Sequence, residues 1–350
     1  MTSLYQYTRD EVAALLSDQP RYRVDQLWSG LYERFLDPAD ISNLPAPLRA
    51  RIADTLPPSM DEVARSTTDN GDTVKFLWNL RDGGHPIETV LMYYDDRATV
   101  CVSTQAGCAM ACGFCATGQA GFNRHLTVGE IVEQVVRAAR EAAGNGRRVD
   151  NIVFMGMGEP LANEPNVWGA IERIHGDIGI SARHLTVSTV GIVPGIRTLA
   201  DRDLPVNLAV SLHAARNDLR DTLVPINTRY PIEVLMDACR GYLREKRRRI
   251  TFEWALIDGV NDTDRDADEL AELCRSMHPA AHVNLIPLNP TPGWPTIGSP
   301  RARVSRFQNR LRDLGVNVTV RQNRGTEIAA ACGQLAAGQP VTIGTKRSRD

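Results

Sequence analysis

Several features that would assign this chain to a membrane, to export or to a strongly charged class of proteins are missing from its sequence. No uninterrupted apolar run approaches the roughly 18 residues that a membrane-spanning helix needs. The opening residues, MTSLYQYTRDEV, contain no basic leader followed by an apolar core, so we expect no signal peptide. The formal net charge is only −2, which by itself neither favours nor excludes a nucleic-acid partner. We therefore expect a cytoplasmic protein without a membrane anchor.

What the sequence does contain is the composition of an ordinary globular protein. The chain has 350 residues, of which 43% are hydrophobic and 23% are charged, enough for one large α/β domain and a smaller unit. It has seven cysteines. Without an export signal, these indicate a reducing compartment in which thiols serve metal or redox chemistry rather than structural disulfides.

Three of the cysteines, Cys108, Cys112 and Cys115, lie within one short stretch at a C-x₃-C-x₂-C spacing. Thiolates so close together repel each other unless a cation joins them, so the spacing indicates a metal centre. Structural zinc and ordinary iron–sulfur sites take four protein ligands. Three ligands on a [4Fe–4S] cluster would leave one iron open to a small molecule. Two alternatives remain from spacing alone: a zinc site completed by a remote Cys or His, and a structural cluster without chemistry.

The N-terminal part of the chain has the periodicity of helices. Thr8 and Glu11 form a capping-box pattern, and apolar residues then recur at three- and four-residue steps between Val24 and Phe35. A third helix is expected through Leu48 and Leu56. We predict a helical domain over residues 1–70 that packs through these apolar stripes; a unit this small and polar is also compatible with RNA docking.

From Thr73 the periodicity changes to two, which predicts a β-hairpin extension over residues 71–97 with strands Thr73–Leu80 and Ile87–Tyr94. After a further strand, Thr99–Ser103, strands and helices alternate. This pattern predicts parallel strands with crossover helices and a complete or partial βα barrel over residues 98–340, followed by a tail at 341–350. The predicted later strands are Asn151–Met155, His184–Ser188, Val206–Ser211, Ile250–Ile257, His282–Pro287 and Val316–Val320.

Small or polar residues follow four of these strands. Because ligands bind at the carboxyl ends of parallel strands, we expect these residues to share one site with the cysteine loop. They lie in Gly156–Pro160, Ser188–Gly191, Ser211–His213 and Leu288–Pro290. A basic C-terminal region, with ten Lys and Arg against three Asp and Glu in residues 291–350, and a second cluster at Arg244–Arg249 are compatible with phosphate contacts.

Six longer runs of the sequence together form a recognisable pattern. They are CVSTQAGC at 101–108, GFNRHL at 121–126, FMGMGEP at 154–160, VSTVGI at 187–192, SLH at 211–213 and ACGQL at 331–335. These runs resemble those of the RlmN/Cfr family of radical S-adenosylmethionine (SAM) RNA adenine methyltransferases, and the resemblance extends from the N-terminal helices to Leu335. It implies a small helical domain on a partial (βα)₆ barrel, a [4Fe–4S] cluster and two SAM molecules per turnover.

The resemblance also implies roles for individual residues. Cys332 would carry the methyl group, Cys101 would be its redox partner and form a disulfide with it, and Glu88 would accept a proton. From composition alone, Cys332 and Cys101 are instead typical packing cysteines, and Glu88 is typical of an exposed strand carboxylate. The cluster ligands would be Cys108, Cys112 and Cys115, and the SAM contacts Gly158, Glu159, Ser188, Ser211, Leu212, His213 and Asn289.

The implied reaction is methylation of adenine C2 in 23S rRNA and of C2 of the adenine 3′ of the anticodon in tRNAs. C2 lies between two ring nitrogens and is a poor nucleophile, so a radical route replaces direct attack on the methyl group of SAM. A flavodoxin or ferredoxin is the expected electron donor, and a monomer the expected state. Two alternatives stay open: a Cfr-like adenine C8 methyltransferase, and a non-catalytic RNA-binding protein with a structural metal site. Gly121–Arg124 and Pro160 favour C2 over C8.

Overall fold

A computed structural model of the chain describes residues 3–67, 70–288 and 296–321. It begins with three helices, α1 (Arg9–Leu15), α2 (Tyr22–Tyr32) and α3 (Ala46–Thr55). The capping box expected at the start of α1 is present, because the Thr8 side chain accepts from the Glu11 amide while the Glu11 carboxylate accepts from the Thr8 amide. The apolar stripe of α2 is buried, as its periodicity predicted.

After the three helices, Met60–Thr67 forms strand β1, an element that the sequence analysis did not predict. This strand pairs antiparallel with β2 (Thr73–Leu80), which pairs antiparallel with β3 (Ile87–Tyr93). Only Met60 of β1 is fully buried, so the segment lacks the apolar alternation by which a strand is recognised in a sequence. The predicted hairpin is therefore part of a three-stranded antiparallel extension.

The remaining elements follow the predicted alternation. Strand β4 (Ala98–Cys101) is followed by a small excursion that contains β5 (Gln105–Gly107), α4 (Ala116–Gln119) and β6 (Phe122–His125). The chain then continues with α5 (Val128–Gly144), β7 (Asn151–Phe154), α6 (Glu164–Gly176), β8 (Leu185–Thr189), α7 (Val193–Asp201), β9 (Asn207–Ser211), α8 (Asn217–Leu223), α9 (Ile232–Lys246), β10 (Thr251–Leu256), α10 (Asp264–Arg275), β11 (His282–Pro287), α11 (Arg301–Asp313) and β12 (Asn317–Val320).

Ten of these strands form one sheet in the order β1-β2-β3-β4-β7-β8-β9-β10-β11-β12. From β4 onward all neighbouring pairs are parallel. Strands β4, β7, β8, β9, β10 and β11 each lead into a helix, which confirms the partial (βα)₆ barrel, with β12 added at the end. The parallel strands place all their carboxyl ends at one edge, where a shared site is expected.

The N-terminal helices are joined to the barrel by buried polar contacts as well as by the apolar core. Glu133 on α5 accepts hydrogen bonds from the backbone and hydroxyl of Ser59, at 2.7 and 2.6 Å, and from Arg137. Trp28 on α2 donates from Nε1 to Asp177 after α6, at 3.2 Å. Within the described ranges, no helix has both the length and the apolar character needed to cross a membrane.

Candidate active site

The cysteine loop connects β5 to α4 at the carboxyl edge of the barrel. Strands β5 and β6 pair antiparallel and hold the two ends of the loop together. The Cys108 amide donates to the Gly121 carbonyl at 2.8 Å, and the Cys115 amide donates to the Cys112 carbonyl at 3.1 Å. Gly107 has φ +80°, and a Cβ there would lie 1.9 Å from the Gly121 carbonyl oxygen. Only a glycine at position 107 therefore allows the loop to close.

The three cysteines border one cavity of about 320 Å³ at the barrel mouth. Its lining also includes Cys101 from β4 and residues from the ends of β7, β8 and β9, as the strand-end pattern predicted. The sequence-predicted residues that line it are Cys101, Cys108, Cys112, Cys115, Gly158, Glu159, Ser188, Ser211 and His213. The structure thus brings residues from five separate segments of the chain into one place.

The thiols of the loop are held in an environment that disfavours thiolates without a bound cation. Burial, and to a smaller extent the neighbouring Cys115, raise the pKa of Cys108 to about 12. Burial, and then Cys115 and Cys108, likewise raise the pKa of Cys112. A cationic metal centre reverses this balance, so the donor set fits an iron–sulfur cluster. Among the described residues, no three His, Cys, Asp or Glu side chains converge tightly enough to hold a single metal ion.

Glu159 is fixed at the end of β7 by backbone donors. Its two carboxylate oxygens accept from the Leu161 amide at 3.0 Å and the Val190 amide at 2.8 Å. Its own amide donates to Gln105 at 2.8 Å. Burial raises the pKa of Glu159 to about 7, because these hydrogen bonds offset only part of the lost hydration. Gly158, at φ +103°, allows the backbone to lie against Gln105. The carboxylate is therefore oriented before any ligand binds.

The ends of β8 and β9 contribute hydroxyls and an imidazole. The Ser188 and Ser211 hydroxyls lie 3.4 Å apart. The Nδ1 of His213 accepts from the Ala255 amide at 3.0 Å, so the neutral ring carries its proton on Nε2. Burial, and then the charge of Arg220, lower the pKa of His213 to about 3. Leu212 lies between Ser211 and His213 in the chain. Its side chain is in the core and does not line the cavity.

Cys101 and Glu88 lie on neighbouring strands below the cysteine loop. Cys101 is 4% exposed and packs with Val90 and Met92 of β3. Glu88 is not an exposed strand carboxylate but a buried one, paired with Lys75 of β2 at 3.0 Å. Its side chain is not among the residues that line the cavity. Glu88 and Cys101 share one side of the sheet, because Val90, two residues from Glu88, is the register partner of Cys101.

Two predicted site residues, Cys332 and Asn289, lie outside the described residues. Cys239 on α9 and Cys274 on α10 are completely buried in the main apolar core, as expected for packing cysteines. Sequence reasoning missed Arg220, whose buried side chain donates to the carbonyls of the cavity-lining residues Val190 and Ser211. It also missed Glu253, which lines the cavity. The available signal for Glu253 was a carboxylate within the mostly apolar strand Thr251–Leu256.

Comparison with known proteins identifies the family of this chain. Residues 102–274 match the model of the radical SAM superfamily. A protein of Chloroflexus aurantiacus named a probable dual-specificity RNA methyltransferase RlmN is 48% identical over 98% of this chain and 94% of its own length. A Mycolicibacterium vanbaalenii protein of the same name is 51% identical over 91% of this chain and 89% of its own.

A solved structure gives the same result. The crystal structure of a radical SAM methyltransferase from Sphaerobacter thermophilus has 48% sequence identity and a TM-score of 0.91, covering 95% of this chain and 99% of that one. Both the sequence relationship and the fold thus extend over nearly the full length, from the N-terminal helices through the barrel. The chain belongs to the RlmN family of radical SAM methyltransferases.

Proposed function

We propose that this enzyme methylates C2 of one adenine in 23S rRNA and C2 of the adenine 3′ of the anticodon in tRNAs. The relatives' names support RNA as the substrate, because they describe dual-specificity RNA methyltransferases. The observation that carries the proposal is the shared cavity, where the three-cysteine loop, Cys101 and the ends of three parallel strands meet. A cavity built only to bind RNA would not need buried thiols at its base.

The cofactors are a [4Fe–4S] cluster and SAM, as membership of the radical SAM superfamily implies. Cys108, Cys112 and Cys115 would hold the cluster. When bound and reduced, the cluster supplies the electron that cleaves SAM. Glu159, with a preoriented buried carboxylate, suits the ammonium group of SAM, and the Nε2–H of neutral His213 suits an acceptor on the same ligand.

The methyl transfer itself depends on two thiols and a carboxylate. A thiolate is a soft nucleophile that can displace a methyl group from SAM, and the family resemblance assigns this role to Cys332. The methyl group on Cys332 would lose one hydrogen atom to the radical that a second SAM supplies, and its carbon would then bond to adenine C2. Glu88 would take the C2 proton, and the unpaired electron would return to the cluster. The Cys101 thiolate would attack the Cys332 sulfur to form a disulfide, the electron pair of the broken sulfur–carbon bond would stay with the carbon, and that carbon would take up a proton to become the methyl group. An external thiol or protein reductant resets the pair.

Lys75 lies beside Glu88 on the neighbouring strand. Its ammonium nitrogen is 3.0 Å from a Glu88 carboxylate oxygen, and both side chains are buried. The pair holds the carboxylate on the same side of the sheet as Cys101. A proton on an sp³ carbon between two ring nitrogens is acidic because its loss restores the aromaticity of the ring, so a carboxylate can accept it.

We further propose a monomeric cytoplasmic enzyme that receives electrons from a flavodoxin or ferredoxin. Its RNA substrates are in the cytoplasm, and its buried thiols require a reducing environment. The N-terminal helical domain, 1–70, is assigned to RNA docking, with residues 71–97 as the β extension, 98–340 as the barrel and 341–350 as the tail.

The test is nucleoside analysis by mass spectrometry after anaerobic incubation of the reconstituted enzyme with SAM, a reductant and unmodified 23S rRNA or tRNA. We expect 2-methyladenosine from both RNAs. We expect none from Cys332→Ala or Glu88→Gln, and wild-type yields from Cys274→Ala, which alters only a packing thiol. Formation of 8-methyladenosine would assign Cfr-like specificity, and full activity of Cys332→Ala would contradict the methyl-carrier role. Colourless zinc-containing protein would instead support the non-catalytic alternative.

A further inference from the structure

Arg220, on helix α8, is a fully buried arginine between the cysteine loop and the ends of β8 and β9. Its side chain has 0% exposure. It sits close to the glycine turn after β8, since a Cβ built on Gly191 would lie 3.5 Å from its Nη2. Its helix neighbour Leu223 packs in the same small apolar cluster as Cys112. The guanidinium thus lies behind the wall of the cavity rather than in it.

The hydrogen bonds of Arg220 satisfy its donors without neutralising its charge. Nε donates to the Leu212 carbonyl at 3.0 Å, and Nη2 donates to the Val190 and Ser211 carbonyls at 2.6 and 3.3 Å. Nη1 donates to the Asn227 side chain at 2.8 Å. All four acceptors are neutral oxygens. The guanidinium therefore also ties together the ends of β8 and β9, which carry the predicted SAM contacts.

No carboxylate forms an ion pair with Arg220 in the part of the chain that the structure describes, whereas the partly buried Arg124, Arg137, Arg173 and Arg216 each have one. The nearest link to an acidic group is indirect, through Asn227, which donates to Asp221 at 2.6 Å. A buried charge without a close counter-ion is strongly unfavourable. Such an arrangement indicates that the counter-charge is supplied when the site is loaded.

The cysteine loop is the place where that negative charge arises. Arg220 lies close to this loop, because its acceptors Val190 and Ser211 border the same cavity as Cys112 and its helix neighbour Leu223 packs with Cys112. Burial lowers the pKa of Arg220 only to about 10, so it is a cation at neutral pH. Three thiolates and a bound cluster that accepts an electron would supply the charge that this cation lacks.

We propose that Arg220 is a positioning residue that compensates the charge of the cysteine-bound cluster and raises its reduction potential, while its hydrogen bonds hold the SAM-binding strand ends. This inference rests on the proposed function, because it requires the cluster on Cys108, Cys112 and Cys115. A one-electron donor such as dithionite adds one negative charge to the cluster. The fixed cation at Arg220 stabilises the reduced form more than the oxidised form, since it interacts with the added charge.

The expected size of the effect follows from removing one unit charge. At the wild-type midpoint potential, Arg220→Gln should lower the ratio of reduced to oxidised cluster about tenfold, the effect of one charge acting through a medium of effective dielectric about 20. For a one-electron couple this corresponds to a shift of about 59 mV to more negative potential. Arg220→Lys retains the charge and should stay close to the wild-type midpoint.

The experiment is a redox titration of anaerobically reconstituted full-length protein, followed by the visible absorbance and the electron paramagnetic resonance of the cluster, with iron and sulfide measured per chain. Arg216→Gln is the matched control, because Arg216 lies one turn away and is already neutralised by Asp266 and Glu269. Asp221→Asn, an isosteric change at an exposed residue, should move the midpoint slightly in the positive direction and provides a test if Arg220→Gln does not fold.

The outcomes separate the two levels of inference. Failure of the wild-type protein to take up iron and sulfide would overturn the proposed function itself. Full cluster content with an unchanged midpoint in Arg220→Gln, or in Asp221→Asn if the former does not fold, would overturn the role of Arg220. Equal shifts in Arg220→Lys and Arg220→Gln would also overturn it, since the effect would then come from the lost hydrogen bonds rather than from the charge.

Discussion

The ammonium nitrogen of Lys75 lies 3.0 Å from a carboxylate oxygen of Glu88, and the two side chains are 0% and 2% exposed. The pair links β2 to β3, which are adjacent antiparallel strands of the extension. Breaking a buried pair leaves one charge without compensation, and this is more costly than removing both charges.

Lys75→Met should lower the free energy of unfolding by about 3–5 kcal/mol, because it removes the ammonium group that pairs with the buried Glu88 carboxylate. The double variant Lys75→Met/Glu88→Leu should recover much of that loss. Denaturant unfolding measures both. The exposed pair of Arg81 and Asp61, 42% and 58% exposed, provides the control, since Arg81→Met should cost no more than about 1 kcal/mol. A double variant as unstable as Lys75→Met would contradict the expected charge imbalance.

In the metal-free protein, the buried groups His213 and Glu159 should change the free energy of unfolding with pH in opposite directions. The folded-state pKa of His213 is lowered from 6.5 to about 3, so its contribution to stability is present above pH 6.5 and is lost as the pH falls below it. The folded-state pKa of Glu159 is raised from 4.5 to about 7, so its contribution is present below pH 4.5 and is lost as the pH rises towards 7. Each contributes a slope of about 1.4 kcal/mol per pH unit, with opposite signs.

Between pH 4.5 and 6.5 the two slopes nearly cancel in the wild-type protein. His213→Asn, whose side-chain oxygen can still accept from the Ala255 amide, should therefore lose stability relative to wild type as the pH rises. Glu159→Gln should gain stability relative to wild type over the same window. Urea unfolding at several pH values measures this, and curves for the two variants that run parallel to wild type would show that neither group titrates as described.

Gly107→Ala should prevent the cysteine loop from closing, because the added Cβ would lie 1.9 Å from the Gly121 carbonyl oxygen at φ +80°. We expect iron content after reconstitution to fall several-fold. Gly121→Ala is the matched control: its φ is similar, +77°, but no atom lies within 4 Å of the added Cβ, so only about 1 kcal/mol of backbone strain is expected. Equal iron content in the two variants would contradict the steric argument.

Cys101→Ala should leave the enzyme attached to its RNA. Without the second thiol, no group breaks the bond between the Cys332 sulfur and the transferred carbon, so a covalent protein–RNA adduct accumulates. A denaturing gel with labelled RNA measures the adduct. Cys239→Ala, in the apolar core at 0% exposure, should give no adduct. Free methylated RNA from Cys101→Ala at wild-type yield would contradict the assigned role.

The local sequence patterns were informative about elements and about the metal-binding loop. The period-two run predicted β2 at Thr73–Leu80 without error, and the capping residues predicted the start of α1. The alternation of strands and helices predicted parallel strands, and hence a common edge for Ser188, Ser211 and the cysteine loop. These features depend on residues close together in the chain, where spacing alone carries the physical requirement.

Other features depend on which distant residues meet, and the sequence contains no direct record of this. Glu88 looked like an exposed carboxylate until the register of β2 and β3 placed Lys75 beside it. Strand β1 lacked apolar alternation, and its pairing with β2 decided its conformation. The burial of Arg220 is likewise a tertiary fact, because its acceptors lie on segments up to 30 residues away. Short-range periodicity and cysteine spacing thus determined the kind of fold and the cofactor loop, whereas the placement of buried charges around that loop was decided by long-range packing.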